Sequence, residues 1–326
     1  MAYRLQPAKR FTAEFCSVAE SQITRAIHLL EEQPGGPHEA VHDARKRFKR
    51  VRALYRLIQS DASEFRRQEN ARIRDMAQTL SAVRDATALV ETVNYLAEHA
   101  TSPEKLAALT VASKALTERR DRIASEEHDL PAKMAAAIAT CREAIAALGE
   151  LDLDDDPRKT AKRLATAWKK QRLRALAALA ACEEHADAEV YHDLRKSGQT
   201  YWMHLSLLGP IWPSAMLAKQ MQAKELVDLL GHEHDLSVLT GLVNESPELF
   251  GDSGTLALVL GAIIARQQTL RHEAVERAHE VFADGAETES ALIRLLWERA
   301  ATAPRKAKSH RAKFNGKVDK ESALRG

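Results

Sequence analysis

Apolar residues return every three or four positions along almost the whole chain and rarely alternate one for one. Over 41–58, Val41, Ala44, Phe48, Val51, Tyr55 and Ile58 share a face roughly 100° wide when the chain is wound at about 100° per residue. This period predicts helices over 12–33, 40–59, 62–82, 84–99, 104–127 and 132–148 in one half of the chain. In the other half it predicts helices over 159–185, 189–208, 214–231, 234–244, 254–283 and 286–301. Pro and Gly mark the breaks, at Pro34-Gly35-Gly36-Pro37, Ser102-Pro103, Pro131, Pro157, Gly209-Pro210 and Ser253-Gly254. The expected fold is all-α, essentially without strands.

The pattern also repeats. VHDARK at 41–46 returns as YHDLRK at 191–196, and the segment around Asp85 returns around Asp235, both after 150 residues. The expectation is two pseudo-symmetric helical bundles, 1–150 and 151–301, forming a single unit. The acidic stretch Asp152–Asp156 would link them. Residues 302–326 hold Arg305, Lys306, Lys308, Arg311, Lys313, Lys317, Lys320 and Arg325 among few apolar residues, and read as a basic, disordered tail.

Composition adds exclusions. With 48 Lys and Arg against 46 Asp and Glu, the formal net charge is only +2, so local clustering matters more than the total. Cys16, Cys141 and Cys182 are scattered, which argues against a zinc site and for a reducing compartment. No apolar signal core or membrane-length apolar run is present, so a soluble cytoplasmic protein is expected. P-loop, nucleophile-elbow and dinucleotide fingerprints are absent.

The charges do cluster. On the helix beginning near 40, His42, Arg45, Lys46, Lys49, Arg52 and Arg56 gather within roughly 120°, away from the apolar face. Like charges three or four apart repel, so such a stripe costs stability unless an anion neutralises it. A second stripe, Lys159, Lys162, Arg163, Lys169, Lys170 and Arg174, lies on the helix beginning near 159. Arg74 and Lys224 form a further pair 150 apart. His42 and His192 either contact phosphate or bond a nearby carbonyl or carboxylate. Asp85 and Asp235 either hold a basic side chain by a salt bridge or cap a helix. His232-Glu233-His234-Asp235 looks like a metal cluster, but consecutive helical residues point in different directions. No metal ligands, cofactor or catalytic residues are assigned.

The paired HD-x-RK segments, the RD/HD segments 150 residues apart and the doubled helical layout resemble the conserved histidine α-helical domain (CHAD) family over about residues 10–301. The resemblance implies two helical bundles around a basic surface or pore that binds inorganic polyphosphate without catalysis. It also implies a bacterial protein on polyphosphate granules. His42, Arg45, Lys46, Lys49 and Arg52 match the first signature helix, and His192, Arg195 and Lys196 the second. Gln199, Thr200 and Trp202 depart from it. The triphosphatase barrel fused to some members has no β-rich counterpart here. The candidate ligand-binding set is therefore His42, Arg45, Lys46, Lys49, Arg52, Arg56, Arg74, Arg163, Lys170, Arg174, His192, Arg195, Lys196 and Lys224. Competing readings are a nucleic-acid binder using the same stripes and the tail, a metal-dependent phosphohydrolase and a protein- or lipid-binding scaffold. The leading expectation includes no membrane partner, and the oligomeric state stays open.

Overall fold

A computed structural model describes residues 3–80 and 82–303. Among these, eleven α-helices and no β-strand are found. They are α1 (Phe11–Glu32), α2 (Pro37–Tyr55), α3 (Ser63–Thr79), α4 (Ala82–Glu98), α5 (Pro103–Glu126), α6 (Leu130–Ala147), α7 (Pro157–Glu184), α8 (Ala188–Leu208), α9 (Pro213–Glu245), α10 (Ser253–Val281) and α11 (Ala286–Thr302). The all-α expectation holds. The tail from residue 304 onward lies outside the described residues.

Local chemistry explains the helix starts. Pro occupies the first turn of α2, α5, α6, α7 and α9, where its missing N–H is no loss. Ser102, Asp156, Asp187 and Asp252 cap α5, α7, α8 and α10 through their side-chain oxygens. The acidic stretch before α7 does more than connect. Asp156 accepts from the backbone N–H groups of Arg158 and Lys159 at 3.0 Å each. Its neighbour Asp155 accepts from the N–H of Thr12 at 2.7 Å and so caps the distant α1.

One expected break is missing. Separate helices were expected over 214–231 and 234–244, yet α9 runs unbroken through Gly231. A single glycine inside a helix costs about 1 kcal/mol, and burial on both sides outweighs it. Ala223, Leu226 and Leu230 pack into one apolar region, while Leu236, Leu239 and Val243 pack into another. At the corresponding place in the first half the helix does break, between Thr79 and Ala82.

Helix starts recur at the repeat spacing, as with Ser63 and Pro213, or Pro103 and Ser253. Burial nevertheless does not divide at residue 150. The larger apolar region draws on α1, α2, α3 and α6 together with α7, α8, α11 and parts of α9 and α10. The smaller combines α4 and α5 with the second half of α9 and the first half of α10. Helices related by the repeat also touch, α2 against α8 and α5 against α10. At the α2–α8 seam, His204 Nε2 lies 2.9 Å from the Ala53 carbonyl. Burial pushes this imidazole down to about 4, so it sits there neutral and donates to the carbonyl.

A buried ion pair fixes the far side. Arg172, fully buried on α7, pairs with Glu289 of α11 at 2.7 Å. Glu289 also accepts from Trp168 Nε1 and the Tyr201 hydroxyl, each at 3.0 Å. We predict that Glu289→Ala, which strands a buried guanidinium, lowers stability by about 3–5 kcal/mol. Replacing both partners, Arg172→Met with Glu289→Leu, restores most of that loss. Urea denaturation followed by Trp fluorescence measures both, and equal losses in the two variants would contradict the account.

Candidate functional site

The α2–α8 contact brings the two signature segments together. α2 turns its apolar stripe, Val41, Ala44, Phe48, Val51 and Tyr55, into the core. The flanking face carries Arg45 and Arg52, which reach α3, and Lys49 and Arg56, which lie beside α8. Lys49 is reached by solvent yet crowded by protein, as befits the wall of a concavity. Burial, then the nearby Arg195 and Arg45, push its ammonium down to about 8, with Arg84 adding to the effect and Asp235 opposing it. These residues come from α2, α4, α8 and α9, so four helices converge on one cationic centre.

Histidines complete this centre. The rings of His192 on α8 and His234 on α9 stack with centroids 4.5 Å apart. Burial, then Arg195, His192 and Lys49, push His234 down to about 4. Burial and the neighbouring Lys196 and Arg195 lower His192. Burial and then Arg84 lower His42. All three imidazoles are therefore neutral near pH 7. The buried His192 Nδ1 and Arg195 Nε have no hydrogen-bond partner among the described residues.

A second group of cations lies farther along α2. Burial, then Arg174, Arg66 and Arg52, push Arg56 down to about 10. Burial, then Arg74 and Arg66, lower Arg52, whose Nε donates to Asn70 Oδ1 at 2.9 Å. Arg56 and Arg174 line a concavity of about 400 Å³ that reaches Asp193 and Lys196 at the start of α8. A smaller adjoining pocket adds Lys170 and reaches down to His204. Lys196 lines this groove and also lies near His192 and His234, so the groove adjoins the first group along α8.

Of the candidate residues, His42, Arg45, Lys49, His192 and Arg195 meet in the first group, with Lys46 and Lys196 at its edge. Arg52, Arg56, Arg74, Lys170 and Arg174 belong to the second. Arg45 also donates to the Ala77 carbonyl at 3.1 Å, which ties α2 to the end of α3. Lys46 and Lys196 are each paired with the Asp three residues earlier, at 2.9 and 2.8 Å. Arg74 pairs with Asp75 at 2.7 Å while still facing Arg52.

Two candidates stand elsewhere. Arg163 is buried, and its Nε donates to Asp61 at 2.6 Å. Its position on α7 turns it toward the turn after α2 rather than outward with Lys170. Lys224 is paired with Asp228 one turn on. Within the same stripe, Lys159 and Lys169 pair with Asp154 and Glu287.

Arg84, His234 and Arg66 were not among the candidates. Arg84 and His234 are themselves 150 apart, immediately before Asp85 and Asp235, so the repeat alignment held the signal. Arg66 follows only from how α3 lies against α2. Asp235 is mid-helix and so not a cap. Burial raises its carboxyl and Arg195 opposes this, which puts the carboxylate beside that guanidinium. Asp85 is exposed in the first turn of α4. The run at 232–235 splits four ways. His232 stacks on Tyr95 and buried Glu233 pairs with Arg271 at 2.8 Å. His234 meets His192, and Asp235 lies beside Arg195.

If Asp235 supplies the opposing charge, Asp235→Asn lowers the Lys49 ammonium further below about 8. Titrating reductively methylated lysines by NMR resolves this, and an unmoved Lys49 resonance would remove Asp235 from the site's electrostatics.

No helix among the described residues is long and apolar enough to cross a membrane. No curated protein matches the chain. A family model for the CHAD domain matches residues 22–244, more than half of the sequence and all four helices that form the cationic centre. With its two signature helices packed together beside the histidines that follow from the repeat, this chain belongs to the CHAD domain family.

Proposed function

We propose that the protein binds inorganic polyphosphate as an extended strand along the groove bordered by α2, α7, α8 and α9, and does so without catalysis. The observation that carries this reading is the crowding of cations from several helices in partly buried surroundings. Lys49 lies near Arg45, Arg84 and Arg195, and Arg56 near Arg52, Arg66 and Arg174, and burial first and then these neighbours lower both. A site that crowds like charges in a partly dry concavity gains most from a ligand carrying one negative charge per repeating unit. Arg forks and Lys point charges then supply charge-assisted hydrogen bonds. Binding of this kind would recruit the protein to polyphosphate granules, in agreement with the family's association.

Nucleic acid would bring the same phosphates together with bases that need stacking platforms. Trp202, the aromatic nearest the departure from the signature, is instead half-buried against the core. A groove lined by cations without such platforms favours the simpler polymer.

Titration with polyphosphate of defined length at two salt concentrations tests the proposal. Affinity falls steeply with salt as counterions are released. Lys49→Ala with Arg195→Ala weakens it by roughly 100-fold or more, since each charge-assisted bond contributes about 1.5–3 kcal/mol. Unchanged affinity in that variant, displacement by DNA at matched phosphate concentration, or release of orthophosphate during the titration would each overturn the reading.

The pH dependence has two limbs. A bound polyanion favours the protonated form of every nearby base. Affinity therefore falls as pH rises through about 8, where the free Lys49 loses its proton. It rises on acidification from pH 7 toward 5, as ligand draws protons onto His42 and His192, whose free imidazoles sit below their ordinary range. Calorimetry in buffers of different ionisation enthalpy registers this as proton uptake on binding. Proton release in the acid range would contradict it.

A further inference from the structure

The face of α2 turned away from the groove carries a second set of arginines. With the groove-facing residues 42, 45, 49, 52 and 56 as reference, Arg50 and Arg47 lie about 120° and about 180° around the helix axis. Arg47 lies near both Arg50 and Arg25 of the adjoining α1. All three are half-buried, and among the described residues none makes an ion pair or a side-chain hydrogen bond. Most other cations discussed above do make one.

Their surroundings offer little compensation. Burial, then Arg50 and Arg25, lower Arg47, and only Asp43 opposes this. That carboxylate is already held by Lys46 at 2.9 Å. The Arg47 Nε is buried without a partner. Arg50 lies over the Tyr3 ring, 5.5 Å from its centroid, and its carbonyl accepts from the Tyr3 hydroxyl at 2.7 Å. The ring thus fixes the position of Arg50 without neutralising it. The corresponding residues of the second half are Ala175, Ser197 and Thr200, so the repeat does not require this cluster.

An ordinary exposed helix face does not gather three arginines with no acid to spare. We propose that Arg25, Arg47 and Arg50 form a second anion site, which takes phosphate groups of a polyphosphate chain after it leaves the groove and passes around α2. The proposal rests on the reading of the groove as a polyphosphate site. It adds that long chains are held at two places on one molecule while short ones are held only in the groove. A second attachment on the same molecule acts at high effective concentration, so even weak contacts at the outer site raise the affinity for long chains.

Arginine-selective labelling with phenylglyoxal, mapped by mass spectrometry, tests the two sites separately on the full chain. Long-chain polyphosphate is expected to shield Arg47 and Arg50 as well as Arg56 and Arg174. Triphosphate is expected to shield only the groove pair. In Arg47→Gln with Arg50→Gln, long-chain affinity falls roughly tenfold and the salt dependence loses about one to two counterions, while triphosphate affinity is unchanged. The melting temperature holds or rises, because repulsion is relieved. Should that variant fail to fold, the labelling of the unaltered chain decides alone. If Arg56 and Arg174 are shielded while Arg47 and Arg50 react at their free rate, the second site is wrong and the groove reading stands. Shielding of Arg47 and Arg50 alone would overturn the groove and keep the outer cluster as an anion site. No shielding at either place rejects both.

Discussion

The packing of α2 against α8 is the contact on which the remainder depends, because it brings Arg195 of α8 beside Lys49 on the cationic face of α2. Repulsion between like charges on a helix costs a few tenths of a kcal/mol per neighbouring pair. Burial of a large apolar side chain contributes about 1.5–3 kcal/mol. Val41, Phe48, Val51, Leu54 and Tyr55 on α2 are all buried, as are Leu194, Tyr201, Leu205 and Leu208 on α8. The apolar term wins by a wide margin, so the fold can hold the cationic stripe of α2 with Arg195 beside it. The polar bond that crosses the seam, from neutral His204 to the Ala53 carbonyl, adds no charge to a crowded place.

Ion pairs with at least one buried partner then set how the remaining helices frame the groove. Arg163 with Asp61 ties α7 to the turn after α2, Arg172 with Glu289 ties α7 to α11, and Arg271 with Glu233 ties α10 to α9. Pairs of this kind contribute little net stability against apolar replacements of the same volume. They do penalise alternatives, since any slip of one helix leaves a charge stranded. Among the cations on α7, Lys159, Arg163, Lys169 and Arg172 are paired with acids, while Lys170 and Arg174 line a pocket with Arg56.

Much of this was legible in the sequence, for identifiable reasons. Helix positions followed from apolar spacing and from Pro and Asp at the starts. The α2 stripe followed from angular arithmetic on one helix. What the angular arithmetic left out was the acid that each cation meets. Arg163 belongs to the α7 stripe by angle, yet it meets Asp61, 102 residues earlier in the chain. Lys224 matched Arg74 by offset, but Asp228 stands one turn beyond it where the first half has Gln78. The break expected at 231–234 was read from local signals, and burial on two sides of α9 overrode them. Arg84 and His234 were visible only as a pair, through the repeat, and each is ambiguous when taken singly.

The HD-x-RK segment can now be read residue by residue. In each copy the His and the Arg three places later share a helix face and turn toward the groove. The Asp lies off that face and binds the Lys three residues on, at 2.9 Å in one copy and 2.8 Å in the other. Such exposed pairs contribute little to stability. Their value is to park a flexible ammonium at the rim, where a stronger anion could draw it away from its carboxylate. The segment thus supplies two kinds of cation from one helical turn, a guanidinium, which in α8 is crowded by protein, and an ammonium paired with its own aspartate at the surface. Gln199 and Trp202 replace the later cations only in the second copy, which leaves α2 to carry most of the charge.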